Sequence, residues 1–229
     1  MRLEILDRAL IREVDRRIES ASRAAGDRLA CKPGCTMCCI GLFTINLLDA
    51  FRLARGLAAL EAADPGRAAA VRQRAGEVIR LVGREFPGDP ETGWLDDDEK
   101  SLDSFVARFS EVACPALDPA TGLCDLYEHR PMVCRTFGLP ILHDSEKLPH
   151  CSLCFRNCSK EEIENYRVEP DPEALENAIL CELWNDGASE PAARGRGESV
   201  GPETIMAYAL AAGKRQATDD RTDESRATR

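Results

Sequence analysis

Four cysteines fall within nine residues in the stretch Cys31-Lys32-Pro33-Gly34-Cys35-Thr36-Met37-Cys38-Cys39. So dense a thiol group, wrapped around a Pro-Gly turn, packs a core badly and gathers soft metal ligands well. Seven more cysteines follow at Cys114, Cys124, Cys134, Cys151, Cys154, Cys158 and Cys181, making eleven. An odd count excludes complete intramolecular disulfide pairing. Charge is interleaved from the second residue, so the N-terminus lacks the apolar stretch of about 7–15 residues that a secretory signal needs. No window approaches the ~18–20 apolar residues of a membrane span. The expected compartment is therefore the cytoplasm. There a dense cysteine set points to a metal site before a disulfide framework, with a redox-active pair as the other use.

A chain of 229 residues allows one domain, or one domain with a small appendage. Aromatic residues make up only 5%, and much of the apolar content is Ala and Leu. A core built from these is thin, so bound metal is expected to add stability as well as function. The formal net charge of -10 argues against non-specific nucleic-acid binding, which depends on neutralising phosphates with Lys and Arg. The charge favours solubility and names neither a partner nor an oligomeric state.

Leu3, Leu6, Leu10, Val14 and Ile18 recur at three- and four-residue steps, which predicts an amphipathic helix over 2–24. After the cysteine loop, Leu47, Leu48, Phe51, Leu53 and Leu57 predict a second helix beginning near Asn46. Asp64-Pro65-Gly66 interrupts the pattern, and Val71, Val78, Ile79 and Val82 carry a third helix over Arg67–Phe86. The stretch from Pro87 to Asp103, with Asp96-Asp97-Asp98-Glu99, is expected to be a solvated acidic loop. Asp118-Pro119-Ala120-Thr121-Gly122 marks a turn. Ser159-Lys160-Glu161-Glu162 has a capping-box pattern. Asp171-Pro172 is expected to open a helix ending near Gly187, with Pro172 in its first turn. No internal repeat longer than the recurring cysteine spacings stands out. The expected fold is mainly α: a small helical domain at 1–187 with irregular cysteine-rich loops and little or no β-sheet. A linker and terminal helix follow at 188–213, then a disordered tail at 214–229.

Short spacings let several thiolates reach one metal at small loop-closure cost. Cys31, Cys35 and Cys38 can converge around their turn, where Gly34 permits the bend. A tetrahedral zinc takes four such ligands, and an iron–sulfur cluster usually does too. Neighbouring side chains diverge, so Cys39 is expected to reach a second metal, to lie behind the first, or to stay outside the site. Pro131 is expected to begin a short helix that aims Cys134. Arg130 and Arg135 flank that cysteine, either offsetting thiolate charge or pairing with Glu128 and other carboxylates. Cys151, Cys154 and Cys158, with Cys181 downstream, are expected to form a separate four-thiolate site in which His150 is an alternative ligand.

Cys31-x3-Cys35-x2-Cys38-Cys39, then Cys114-Pro-Ala-Leu, then Cys124-Asp-Leu-Tyr-Glu-His-Arg-Pro-Met-Val-Cys134-Arg-Thr-Phe-Gly resemble the YkgJ-like cysteine-cluster family of zinc- or iron-chelating proteins. The resemblance covers about residues 29–140. It implies that Cys31, Cys35, Cys38, Cys39, Cys114, Cys124 and Cys134 form the metal-binding set. The first gap here holds three residues where the CxxCxxCC-type motif that names the family has two. The leading expectation is an iron–sulfur protein with a redox, sensing or metal-handling role and a possible protein redox partner, zinc being the alternative cofactor. The other expectations are an enzyme module related to flagellin lysine N-methylases, which carry related cysteine motifs, and a zinc-stabilised interaction protein. Cys-x3-Cys-x2-Cys is also the spacing of radical S-adenosylmethionine enzymes, but no alternating strand–helix series follows it. No catalytic triad or acid/base carboxylate pair can be picked out.

Overall fold

The computed structural model describes residues 2–143, 145–185 and 201–211. The expected linker at 188–200 and the tail at 214–229 lie outside them. In chain order the described elements are α1 (Arg2–Ala25), β1 (Thr44–Ile45), α2 (Leu47–Ala63), α3 (Pro65–Val82), β2 (Gly88–Asp89), β3 (Trp94–Leu95), α4 (Glu99–Arg108), α5 (Met132–Thr136), β4 (Ile141–His143), β5 (Glu146–Leu148), α6 (Lys160–Glu164), α7 (Leu175–Asn185), β6 (Thr204–Ile205) and α8 (Met206–Ala211). The protein is mainly α, as expected. Its strands form short antiparallel pairs, β1 with β6, β2 with β3 and β4 with β5.

The chain divides into two compact units, each assembled from two separated stretches. One combines Met1–Cys38 with Pro131–Gly201, and the other combines Cys39–Arg130 with Pro202–Arg229. In the first unit α1 packs against α5 and α7, burying Leu10 and Val14. Its outer face carries i,i+4 ion pairs such as Glu4–Arg8 and Glu19–Arg23. Arg135, on α5, donates to both carboxylate oxygens of Asp15 on α1 at 2.8 and 2.7 Å. Ala25, Leu139, Ile141, Cys151, Cys154 and Phe155 make a compact core beyond the end of α1.

In the second unit Asp64 ends α2 and starts α3. Its N–H donates to the Leu60 carbonyl at 2.7 Å, and its carboxylate accepts from Arg67 N–H at 3.0 Å. Pro65 occupies the first turn, where a missing N–H costs nothing. Both helices pack on α8, around Leu53, Leu57, Val71, Met206 and Leu210. Phe86, Phe105, Phe109 and Tyr208 close a second apolar cluster. The expected third helix ends at Val82 rather than Phe86, because the chain tightens into a 3-10 turn at Gly83–Glu85.

Two expectations are corrected. Asp98 and Glu99 do not belong to a continuous loop: Asp98 caps α4, accepting from Ser101 N–H at 3.4 Å. Carboxylates at a helix start are favoured by the exposed N–H groups there. The acids at 96–99 are nevertheless exposed, as expected. Likewise α7 begins at Leu175 rather than Pro172, because Ala174 adopts a left-handed φ of 50° just before it. Asp171 still caps this helix, accepting from the N–H groups of Leu175 and Glu176 at 3.0 and 2.8 Å.

Candidate metal centre

Lys32, Pro33, Gly34 and Cys35 form a tight turn in which Cys35 N–H donates to the Lys32 carbonyl at 2.9 Å. Pro at the second place and Gly with φ +84° at the third are what a type II turn requires. The turn sets Cys31 and Cys35 at its two ends. A second knuckle lies at 151–154. There Cys154 N–H donates to the Cys151 carbonyl at 2.9 Å, and the Leu153 N–H donates to the Cys151 sulfur.

The first unit brings the two knuckles together. Ala30 N–H donates to Cys154 Sγ at 3.4 Å. Phe155 N–H donates to the Arg28 carbonyl at 2.7 Å, and Phe155 accepts a left-handed φ of 53° to do so. The Cys154 thiol neighbours those of both Cys31 and Cys151, and Cys35 lies within electrostatic reach of Cys31 and Cys151. Four thiols from the first and third cysteine groups therefore share one environment.

That environment disfavours thiolates in the absence of a cation. Burial first, then the neighbouring Cys154, Cys35 and Cys151, push the Cys31 thiol up to about 12. Cys31 is exposed as a residue, but its sulfur is turned toward the other thiols and toward Gly138. The Cys151 thiol is also raised, mainly by burial and against the pull of the Leu153 N–H. A bound cation reverses this balance, since it stabilises every thiolate it touches. Among the described residues no three His, Cys, Asp or Glu side chains are drawn in tightly enough to hold an ion as they stand.

The remaining cysteines distribute as follows. Cys158 is half-buried against the same core, and Cys181 is half-buried on α7. The structure thus joins Cys151 and Cys154 to the first cysteine group, and it places Cys158 beside that core. The His150 ring packs edge-to-face on Phe155, with centroids 5.4 Å apart. Cys38 and Cys134 belong to the first unit, Cys134 in the middle of α5 beyond Pro131, as expected. Cys39, Cys114 and Cys124 belong to the second unit and share one apolar cluster there. Cys114 N–H donates to the Cys39 carbonyl at 2.7 Å, and Leu117 bridges Cys124. Cys38 and Cys39 fall on either side of the boundary between the two units. Arg130 stacks over the Tyr127 ring at 3.9 Å.

Asp125, beside Cys124, went unremarked in the sequence. Its side chain is only 3% exposed and accepts from Arg67 and Arg74, each at 2.6 Å. Arg74 also donates to the Pro115 carbonyl at 2.8 Å, so the loop carrying Cys114 and Cys124 is tied to α3. A buried carboxylate needs such partners, but its identity in sequence carries no signal of which arginines supply them.

By class this helical, cysteine-rich chain is a metal-binding protein. The model of the CxxCxxCC family, a putative zinc- or iron-chelating domain, matches residues 30–155, and the chain belongs to that family. The match reaches past residue 140 and takes in Cys151 and Cys154 with Cys31 and Cys35. No curated protein and no solved structure matches the chain. Among the described residues no helix is long and apolar enough to cross a membrane.

Proposed function

We propose that Cys31, Cys35, Cys151 and Cys154 hold a zinc or iron ion, and that the protein's role is metal handling or metal-dependent stabilisation. The observation that carries this reading is the meeting of the two knuckles: Ala30 N–H donates to Cys154 Sγ, and the Cys31 sulfur lies against Gly138, whose carbonyl accepts from Cys151 N–H. A tetrahedral ion draws thiolates to about 2.3 Å from itself, so its ligands must touch one another. The donor set fits: the N–H groups of Ala30 and Leu153 already point at sulfurs that would carry negative charge, and such bonds fix ligand orientation. Cys39, Cys114 and Cys124 are proposed as ligands in the second unit, with Cys38, Cys134, Cys158 and Cys181 as further thiols of the first. A reducing cytoplasm suits this inventory.

An iron–sulfur centre with a protein redox partner is the second reading, favoured by a donor set that is entirely sulfur. Anaerobic purification followed by iron, zinc and acid-labile sulfide analysis separates the two. Zinc or iron without sulfide supports the single-ion reading. Iron with matching sulfide replaces it with the cluster. A chain that takes up neither metal removes both.

A further inference from the structure

The four thiols come from distant stretches of the chain, and one residue touches both. Gly138 follows α5, is buried, and adopts a φ of +113°. Its carbonyl accepts the N–H of Cys151 at 3.4 Å. On its other side, a Cβ at this position would stand 2.8 Å from the Cys31 sulfur, well inside van der Waals contact. The bare α-carbon therefore leaves a seat that the sulfur occupies.

We infer that Gly138 is a positioning residue of the thiol centre, seating the Cys31 sulfur against its α-carbon and holding the Cys151 knuckle through its carbonyl. The inference rests on the reading of Cys31, Cys35, Cys151 and Cys154 as metal ligands. Two physical effects act at this position and can be separated. Any L side chain at this φ strains the backbone whatever Cys31 does. The steric conflict exists only while a sulfur fills the seat. Because that sulfur ends a short rotatable side chain, it yields before the backbone does, and leaves the other three thiols when it moves.

The experiment is a double-mutant cycle on the full chain with Gly138→Ala, Cys31→Ala and the pair, read by thermal melting without metal and by Zn2+ competition against a chromophoric chelator. Gly138→Ala is expected to weaken zinc binding about 10–100-fold, the loss typical when a group that orients a ligand is altered. It is also expected to lower the melting temperature less when residue 31 is Ala than when it is Cys. An equal loss of melting temperature in both backgrounds overturns the inference, as does unchanged zinc affinity in Gly138→Ala. Where Gly138→Ala does not fold, alkylation of the reduced, metal-free wild-type chain decides. Cys31 is expected to react with iodoacetamide far more slowly than a cysteine in a short unstructured peptide, and reaction at the peptide's rate overturns the seat. Failure to bind zinc in the wild type would instead strike at the metal reading, while the melting cycle still tests the seat.

Discussion

A methyl group at Gly56 on α2 would stand 2.5 Å from the His129 Cβ and 2.6 Å from its Cγ. Replacing an interior helical Gly with Ala normally gains about 1 kcal/mol, while forcing a methyl into a filled space costs about 1–3 kcal/mol. The conflict here is with atoms close to the His129 backbone, so Gly56→Ala is expected to destabilise the chain by up to about 2 kcal/mol net. Urea unfolding checks this, and a raised midpoint would contradict it. Among the sulfurs, Cys31→Ser and Cys154→Ser are each expected to lower metal content, because the two are neighbours in the proposed centre. Elemental analysis that finds unchanged stoichiometry in both variants would remove the proposed centre. One residue-level pattern escaped the sequence reading. Asp89-Pro90-Glu91-Thr92-Gly93 and Asp118-Pro119-Ala120-Thr121-Gly122 are a five-residue repeat. In each the Asp accepts from the N–H two residues on and from the Thr hydroxyl, and the Gly N–H returns to the Asp carbonyl. The sequence predicts only the second as a turn, since the first lies within the expected acidic loop.

At the scale of elements, two carboxylates help to fasten separate pieces of structure together. Asp125 ties the loop at 114–125 to α3 through Arg67 and Arg74. Asp125→Ala removes charge-assisted hydrogen bonds and is expected to cost about 1.5–3 kcal/mol, again read by urea unfolding. Glu164 accepts from Arg167 and Lys147, and these bonds hold its carboxyl down from 4.5 to about 2. Arg167 in turn donates to the carbonyls of Ile141 and Leu148 on β4 and β5. The folded carboxyl is the stronger acid, so its contribution is fully present above about pH 4.5 and is lost as pH falls toward 2. Protection factors along 141–148, which discount the intrinsic pH dependence of exchange, are expected to fall as pH drops across that window in the wild type and to lose this dependence in Glu164→Gln. The capping box at α6 was legible because its two hydrogen bonds join residues three apart: Ser159 accepts from Glu162 N–H at 3.2 Å and Glu162 accepts from Ser159 N–H at 2.7 Å. The beginning of α7 was less legible, since Pro172 is compatible with a first helical turn and only the left-handed Ala174 shows that the helix starts later.

For the molecule as a whole, the four thiols Cys31, Cys35, Cys151 and Cys154 and the largest apolar clusters occupy different stretches. The clusters around α2, α3 and α8 hold Leu53, Leu57, Val71, Val82 and Leu210 nearly or fully buried. The first unit's core beyond α1 is smaller and includes Cys151 and Cys154 themselves. Withdrawing metal with a chelator is therefore expected to speed hydrogen exchange in 29–38 and 150–158, and to leave α3 and α8 protected. Exchange that quickens first in α3 would mean that the metal supports a different part of the chain.

The helical class, the cap at Asn46 (which accepts from Asp49 N–H at 2.9 Å), the turn at Pro33-Gly34 and the thiol chemistry were determined by the sequence alone. Each depends on residue types and on hydrogen bonds between residues a few positions apart, which spacing reports directly. Which thiols become neighbours was decided only by tertiary structure. Cys31 and Cys35 meet Cys151 and Cys154 because Ala30 N–H reaches the Cys154 sulfur, Phe155 N–H reaches the Arg28 carbonyl and Gly138 accepts from Cys151. These are contacts between residues far apart in sequence, and local spacing carries no record of a partner brought in by the packing of the intervening chain.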